Sequence, residues 1–170
     1  MKKIPISAIA TIGINRAIGH KNDLIWELPK DMKHFVNLTK GNVVMMGRKT
    51  WESIPEKHRP LKDRYNIIIT KQDNYEVDGA FVAPNFFKAL QEAQNRANRE
   101  NCQIFVIGGG QIYDLALPYT DTLYLTVVDD EPKADVFFPP FDESFTLTDA
   151  SDDEDGGYQI SFRTYKRRAL

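Results

Sequence analysis

The chain has one cysteine, Cys102, in 170 residues, so it can form no internal disulfide and contains no cysteine-based metal motif. That usage suits a reducing cytoplasm. Its three histidines, His20, His34 and His58, pair with no Cys or Glu at ligand spacing, so a metal site is not expected. Charge of one sign is also missing. Lys and Arg number 22 against 24 Asp and Glu, and a net charge of −2 gives no global attraction to nucleic acid or to an anionic membrane. Any anion site must be built locally. No apolar run approaches the roughly 18 residues of a membrane span. The start, MKKIPISAIA, mimics a secretory signal, but only four residues separate Lys3 from Ala8, too few for its apolar core. The G-x-S-x-G elbow and the Walker phosphate loop are absent, as are fixed-period repeats, low-complexity tracts and an interdomain linker. One domain over residues 1–170 is the expectation.

What is present is an alternation of buried strands and helices. Strands are expected at Ile4 to Ile12, Asn42 to Met46, Asn66 to Thr70, Ala80 to Ala83, Gln103 to Ile107 and Thr122 to Val128. Helices are expected from Pro29, from Arg48, over FFKALQEAQNRANRE behind an Asn85 cap, and over QIYDLAL before Pro118. Such an order implies a mostly parallel central sheet flanked by helices, an α/β fold. Phe145 to Thr148 and Tyr158 to Arg167 alternate instead, and read as a C-terminal antiparallel hairpin joined by ASDDEDGG. The acids Asp152 to Asp155 then read as a solvated hairpin tip rather than as metal ligands. From Gly13 to Asp23 turn residues dominate, and a loop of that length is disordered or functional, commonly a lid.

The helix that begins at Pro29 poses a question. At about 100° per residue, Leu28, Met32, Phe35, Val36 and Thr39 share a face, with Asp31 at its edge. A carboxylate beside Leu28 and Phe35 is costly unless something pairs with it. On this stretch alone the plainer account is preferred: an acid in the first helical turn meets the positive end of the helix dipole.

Two other places share one pattern of buried strand, glycine and helix start. They are VVMM-Gly47-RKTW and IFVI-Gly108-Gly109-Gly110-QIY. Neither is the Rossmann fingerprint, since Tyr113 stands where a third spaced glycine should be. A glycine at such a point admits a ligand close to the backbone, and strand ends in α/β sheets are where ligands bind. Arg48, Lys49 and Thr50 follow the first, and Thr70 and Lys71 end another strand. Separate hydroxyls, amides and cations suit a dinucleotide with an extra 2′-phosphate. One acid, a phosphate cradle and a mobile loop suit a reaction in which a cofactor carries the hydride.

These blocks are also recognisable. AIGxxNxLxWxLPxDMxxF (Ala17 to Phe35), VxMGRxTWESI (Val44 to Ile54), RPLxxRxNIIIT (Arg59 to Thr70) and FVIGGGxIY (Phe105 to Tyr113) occur in order. Over essentially its whole length the chain resembles the bacterial-type dihydrofolate reductases. The resemblance implies an NADPH-dependent oxidoreductase of one-carbon metabolism that reduces 7,8-dihydrofolate to tetrahydrofolate. It also implies a target of antifolates. A cytoplasmic protein is expected from the single cysteine, and a monomer is expected because no exposed apolar stripe stands out. Asp31 then matches the acid that pairs with the pterin and promotes protonation of N5, Thr126 the partner that bonds this acid and the pterin, and Trp26 a further catalytic position at the end of the lid. Ile9, Phe35, Ile54, Leu61, Ile107 and Tyr113 match the pterin pocket. Arg64 matches the clamp on the glutamate carboxylate, with Arg59 nearby. Ala10, Thr11, Ile18, Gly19, Asn22 and Gly47 match cofactor contacts, as do Arg48, Lys49, Thr50, Thr70 and Lys71. So do Gly108, Gly109, Gly110, Gln111, Ile112 and Tyr113, with a cis Gly108–Gly109 bond expected. Two alternatives stay open: an NADPH-dependent reductase of another pteridine or pyrimidine, and a non-catalytic nucleotide-binding protein.

Overall fold

The computed structural model describes residues 1–21 and 23–169. Strands β1 (Ile6–Gly13) and β2 (Ala17–Gly19) precede helix α1 (Pro29–Thr39). Next come β3 (Val43–Gly47), α2 (Arg48–Ser53), β4 (Tyr65–Ile69), β5 (Ala80–Ala83) and α3 (Phe86–Glu100). The chain ends with β6 (Ile104–Val106), α4 (Gly110–Ala116), β7 (Thr122–Val128), β8 (Val136–Phe137), β9 (Phe145–Asp155) and β10 (Tyr158–Arg167). Eight strands form one sheet in the order β5-β4-β3-β6-β1-β7-β10-β9. The first six in that order run parallel, and β10 joins β7 antiparallel, as the sequence pattern requires.

Covering both faces of the sheet explains the unbroken apolar strands. Val43 and Met45 enter the cluster that holds Ile67, Ile104 and Leu123. Val44 and Met46 enter the opposite one with Ile9, Ile68, Phe105 and Trp51 of α2. Alternate residues of β3 thus fill two cores, and all four are fully buried. Helix α3 lies on the first face through Phe86, Ala89, Ala93 and Ala97. The three alanines let its backbone come close to the sheet. The Asn85 side chain accepts from the Lys88 amide at 2.9 Å, which is the expected cap.

Two regions differ from expectation. Strand β9 does not stop at Thr148; it continues to Asp155, and the turn is only Gly156 and Gly157, at φ +57° and +87°. Those values fit a two-residue hairpin turn, which glycine adopts at no steric cost. The strand hides its period because it is the sheet edge, where charged residues are tolerated on both faces. Asp155 departs from the solvated reading most sharply, because it is buried. Second, the segment from Gly13 to Asp23 contains β2, which pairs antiparallel with β8 in a separate ribbon. The amides of Phe138 and Asp135 donate to the carbonyls of Arg16 and Gly19, at 2.8 and 3.1 Å. Strands of three and two residues are too short to show a period. Among the described residues, no helix is long and apolar enough to cross a membrane.

Candidate active site

Asp31 lies in the first turn of α1, whose N-cap Leu28 offers no side-chain bond and whose first residue is Pro29. Its carboxylate is paired after all. The Thr126 hydroxyl donates to Oδ1 at 2.6 Å, and the Thr11 hydroxyl donates to Oδ2. Thr11 and Thr126 are register partners on the adjacent parallel strands β1 and β7. An ionised carboxylate only accepts, so two hydroxyl donors meet what it offers. Among the described residues no other donor reaches either oxygen, which leaves each a lone pair for a ligand. The half-buried acid therefore stands at the sheet end with its charge satisfied from behind.

The apolar wall follows. Phe35, Ile54 and Leu61 are half-buried against the Trp51 cluster, as is Ile107. Met32 is 54% exposed, so the apolar stripe of α1 is not wholly buried against the sheet. The buried Tyr113 hydroxyl donates to the Ile9 carbonyl at 2.6 Å. Burial pushes that phenol far above its ordinary range, so it keeps its proton and stays a donor.

Two arginines flank the wall. Arg64 donates from Nε to the Lys62 carbonyl at 2.9 Å and from Nη1 to the Thr39 hydroxyl at 3.2 Å. Its guanidinium sits 5.8 Å from the Phe35 ring centre. Burial draws its pKa below the usual arginine value, with Asp63 opposing, but it remains a cation. Arg59 instead closes the end of α2, donating to the carbonyls of Ile54 at 2.6 Å and Glu52 at 3.3 Å.

The glycine turns meet. The Gly47 amide donates to the Gly108 carbonyl at 2.8 Å. The Gly108–Gly109 bond is cis. Gly108 has φ +118°, and a Cβ there would lie 3.3 Å from the Tyr113 ring edge and hydroxyl. A Cβ on Gly109 would reach the Thr50 hydroxyl at 3.4 Å, and one on Gly110 would strike Val136 of β8 at 2.6 Å. The first turns of α2 and α4 and the β2–β8 ribbon, with Ile18 and Gly19, therefore come together around the glycine turns. Ala10 adjoins Thr11 on β1, and Ile112 packs against Gly47. Register carries the cations there too, since Gly47 pairs with Ile69, just before Thr70 and Lys71. Lys49, Lys71 and Gln111 are exposed, while Arg48 holds Glu52 at 2.7 Å. Hydroxyls, glycine backbone and cations along a single edge fit a phosphorylated dinucleotide. Trp26 donates from Nε1 to Asp130 at 2.9 Å, anchoring the end of the loop. Asn22 lies outside the described residues.

A family model described as "Dihydrofolate reductase" matches residues 5–167. The chain belongs to the dihydrofolate reductase family. A dihydrofolate reductase of Bacillus subtilis is 38% identical over 96% of this chain and 95% of its own length. The type 3 dihydrofolate reductase of Salmonella typhimurium is 37% identical, covering 96% and 98%. Among solved structures, a dihydrofolate reductase from Enterococcus faecalis, complexed with NADP(H) and RAB-propyl, superposes with a TM-score of 0.84 at 28% identity. That match covers 97% of both chains. The family's fold is therefore the fold of this chain.

Within it, several residues escaped the sequence reading. Thr39, Asp130 and Asp155 are polar partners supplied by other elements. The resemblance assigns Thr11 to the cofactor, whereas the structure bonds its hydroxyl to Asp31. A signal for it existed: Thr11 and Thr126 are each a hydroxyl inside an apolar strand.

Proposed function

We propose that the chain is an NADPH-dependent oxidoreductase that reduces 7,8-dihydrofolate to 5,6,7,8-tetrahydrofolate. The observation that carries this reading is the Asp31 carboxylate, held by Thr11 and Thr126 at the end of the sheet and beside an apolar wall. Its free lone pairs suit the 2-amino group and N3 of a pterin, a charge-assisted paired contact. From there Asp31 promotes protonation of N5, while Phe35, Ile54 and Leu61 enclose the ring and its benzoyl extension. Arg64, braced by Thr39 and Lys62, receives the glutamate carboxylate. Ile9 and Ile107 border the pterin, with Tyr113 behind Ile9. NADPH, when bound, supplies the hydride that reaches C6. Gly108, Gly109, Gly110 and Gln111 would hold its pyrophosphate, and Arg48, Lys49, Thr50 and Lys71 its 2′-phosphate. Trp26, tied to Asp130, and the described residues before it would keep water from the nicotinamide when the cofactor is bound.

One domain and a monomer are part of this proposal, and the single cysteine supports a cytoplasmic setting. The same pocket takes antifolates that carry an amino-pyrimidine for Asp31. The test is loss of reduced-nicotinamide absorbance with dihydrofolate, compared between NADPH and NADH and repeated with methotrexate. Rapid, NADPH-preferring, antifolate-sensitive oxidation is expected. A flat trace from folded protein that binds NADPH would favour a silent nucleotide binder.

A further inference from the structure

Helix α1 starts without a local side chain to satisfy its first amides, since Leu28 is the N-cap and Pro29 follows. The missing partner comes from the far end of the chain. Asp155, the last residue of β9, accepts a hydrogen bond from the Asp31 amide at 3.0 Å. Of the acids Asp152, Asp153, Glu154 and Asp155, it alone is buried.

The hairpin tip that carries Asp155 is seated on the chain entering α1. A Cβ on Gly156 would run into the Glu27 carbonyl and lie 3.1 Å from Leu28. Leu28 packs in one cluster with Val128 and Ile160, and the His34 ring of α1 lies against Phe162, tilted by 44° with ring centres 4.4 Å apart. Phe162 is register partner to both Thr126 on β7 and Ser151 on β9. The strands that hold the carboxylate and the main chain of Asp31 therefore belong to one hydrogen-bonded unit.

We propose that Asp155 is a positioning residue for Asp31. Thr126 fixes the side chain of the acid, Asp155 fixes its backbone, and together they set the direction in which the carboxylate faces the pterin. This rests on the reading of Asp31 as the acid that promotes protonation. Positioning of this kind matters because small misplacements of a reacting group are costly in rate.

The test is the single-turnover rate of hydride transfer in the full chain, with folding checked by circular dichroism at the assay temperature. Asp155→Ala is expected to slow transfer about tenfold to a hundredfold, with NADPH affinity unchanged. Asp155→Asn keeps an acceptor oxygen and is expected to restore most of the rate. Asp153→Ala loses the exposed 2.9 Å ion pair with Lys30 and the acceptor of the Glu154 amide, neither of which touches Asp31, and is expected to react like the parent. A parental rate in Asp155→Ala, or equal slowing by Asp155→Asn, would overturn the proposal. If Asp155→Ala does not fold, hydrogen exchange of the Asp31 amide in Asp155→Asn decides. Slow exchange with a near-parental rate supports positioning, and fast exchange with an unchanged rate refutes it. Asp31→Asn is measured alongside. Unimpaired turnover there would sink the reading of Asp31, whereas impaired Asp31→Asn with a parental Asp155→Ala sinks only the role of Asp155.

Discussion

Thr11 and Thr126 face each other across adjacent parallel strands, and each gives its hydroxyl hydrogen to a different oxygen of Asp31. The pair turns a lone carboxylate on an apolar edge into an oriented acceptor. Replacing Thr126 by Val keeps the shape and removes one donor. Because the two threonines share a carboxylate, Thr11→Val and Thr126→Val should be non-additive in kcat/KM. A coupling of about 0.5–3 kcal/mol is expected from the double-mutant cycle.

Asp31→Asn should leave NADPH binding nearly intact and lower turnover at neutral pH by roughly 10²–10⁴-fold. Steady-state kinetics with a separate NADPH titration checks both halves. Turnover within a few-fold of the parent would remove Asp31 from the reaction.

Arg64→Leu should raise the KM for dihydrofolate with little change in kcat, because the contact proposed for it with the substrate tail would be made equally in ground and transition states. The charge-assisted bonds lost are worth about 1.5–3 kcal/mol, which corresponds to about tenfold or more in KM. Thr39→Val, which leaves Arg64 without one brace, should move the same constant by less. A substrate without the glutamate tail should be indifferent to both changes.

Gly108→Ala puts a side chain at φ +118° against Tyr113. Strain of about 1–3 kcal/mol is expected, read as a lowered Tm together with weakened NADPH binding. Ala at Gly41 is a useful contrast, because that glycine also has positive φ, +80°, but meets nothing within 4 Å. It should lose stability and keep its nucleotide affinity.

His34 supplies a pH dependence. Burial beside Phe162 pushes its pKa below the ordinary 6.5, with Asp31 partly opposing. The folded chain thus prefers neutral imidazole more strongly than the unfolded chain does. Its contribution to stability is complete above about 6.5 and is lost as pH falls through the folded-state value. His34→Gln should flatten the fall of Tm below that pH, measured in a buffer series at constant ionic strength.

Much of this molecule is local, and local features can be read from residues in order. The apolar runs of β3, β4 and β7 announce strands buried on both faces, and Asn85 announces α3 by its own hydrogen bond. Pro29 and Gly47 mark helix starts for reasons that involve only their neighbours. With the motif blocks these placed Asp31, Arg64 and the glycine turn in one fold class. Tertiary structure decided the rest, because it concerns pairs far apart in the chain. Nothing near Asp31 in sequence says that its oxygens will meet Thr11 and Thr126, or that its amide will meet Asp155 across 124 positions. The β2–β8 ribbon and the long β9 edge were hidden for a related reason: very short strands and edge strands carry no hydrophobic period. A sequence records which groups need partners, and only the folded sheet, by setting register, determines which partners they get.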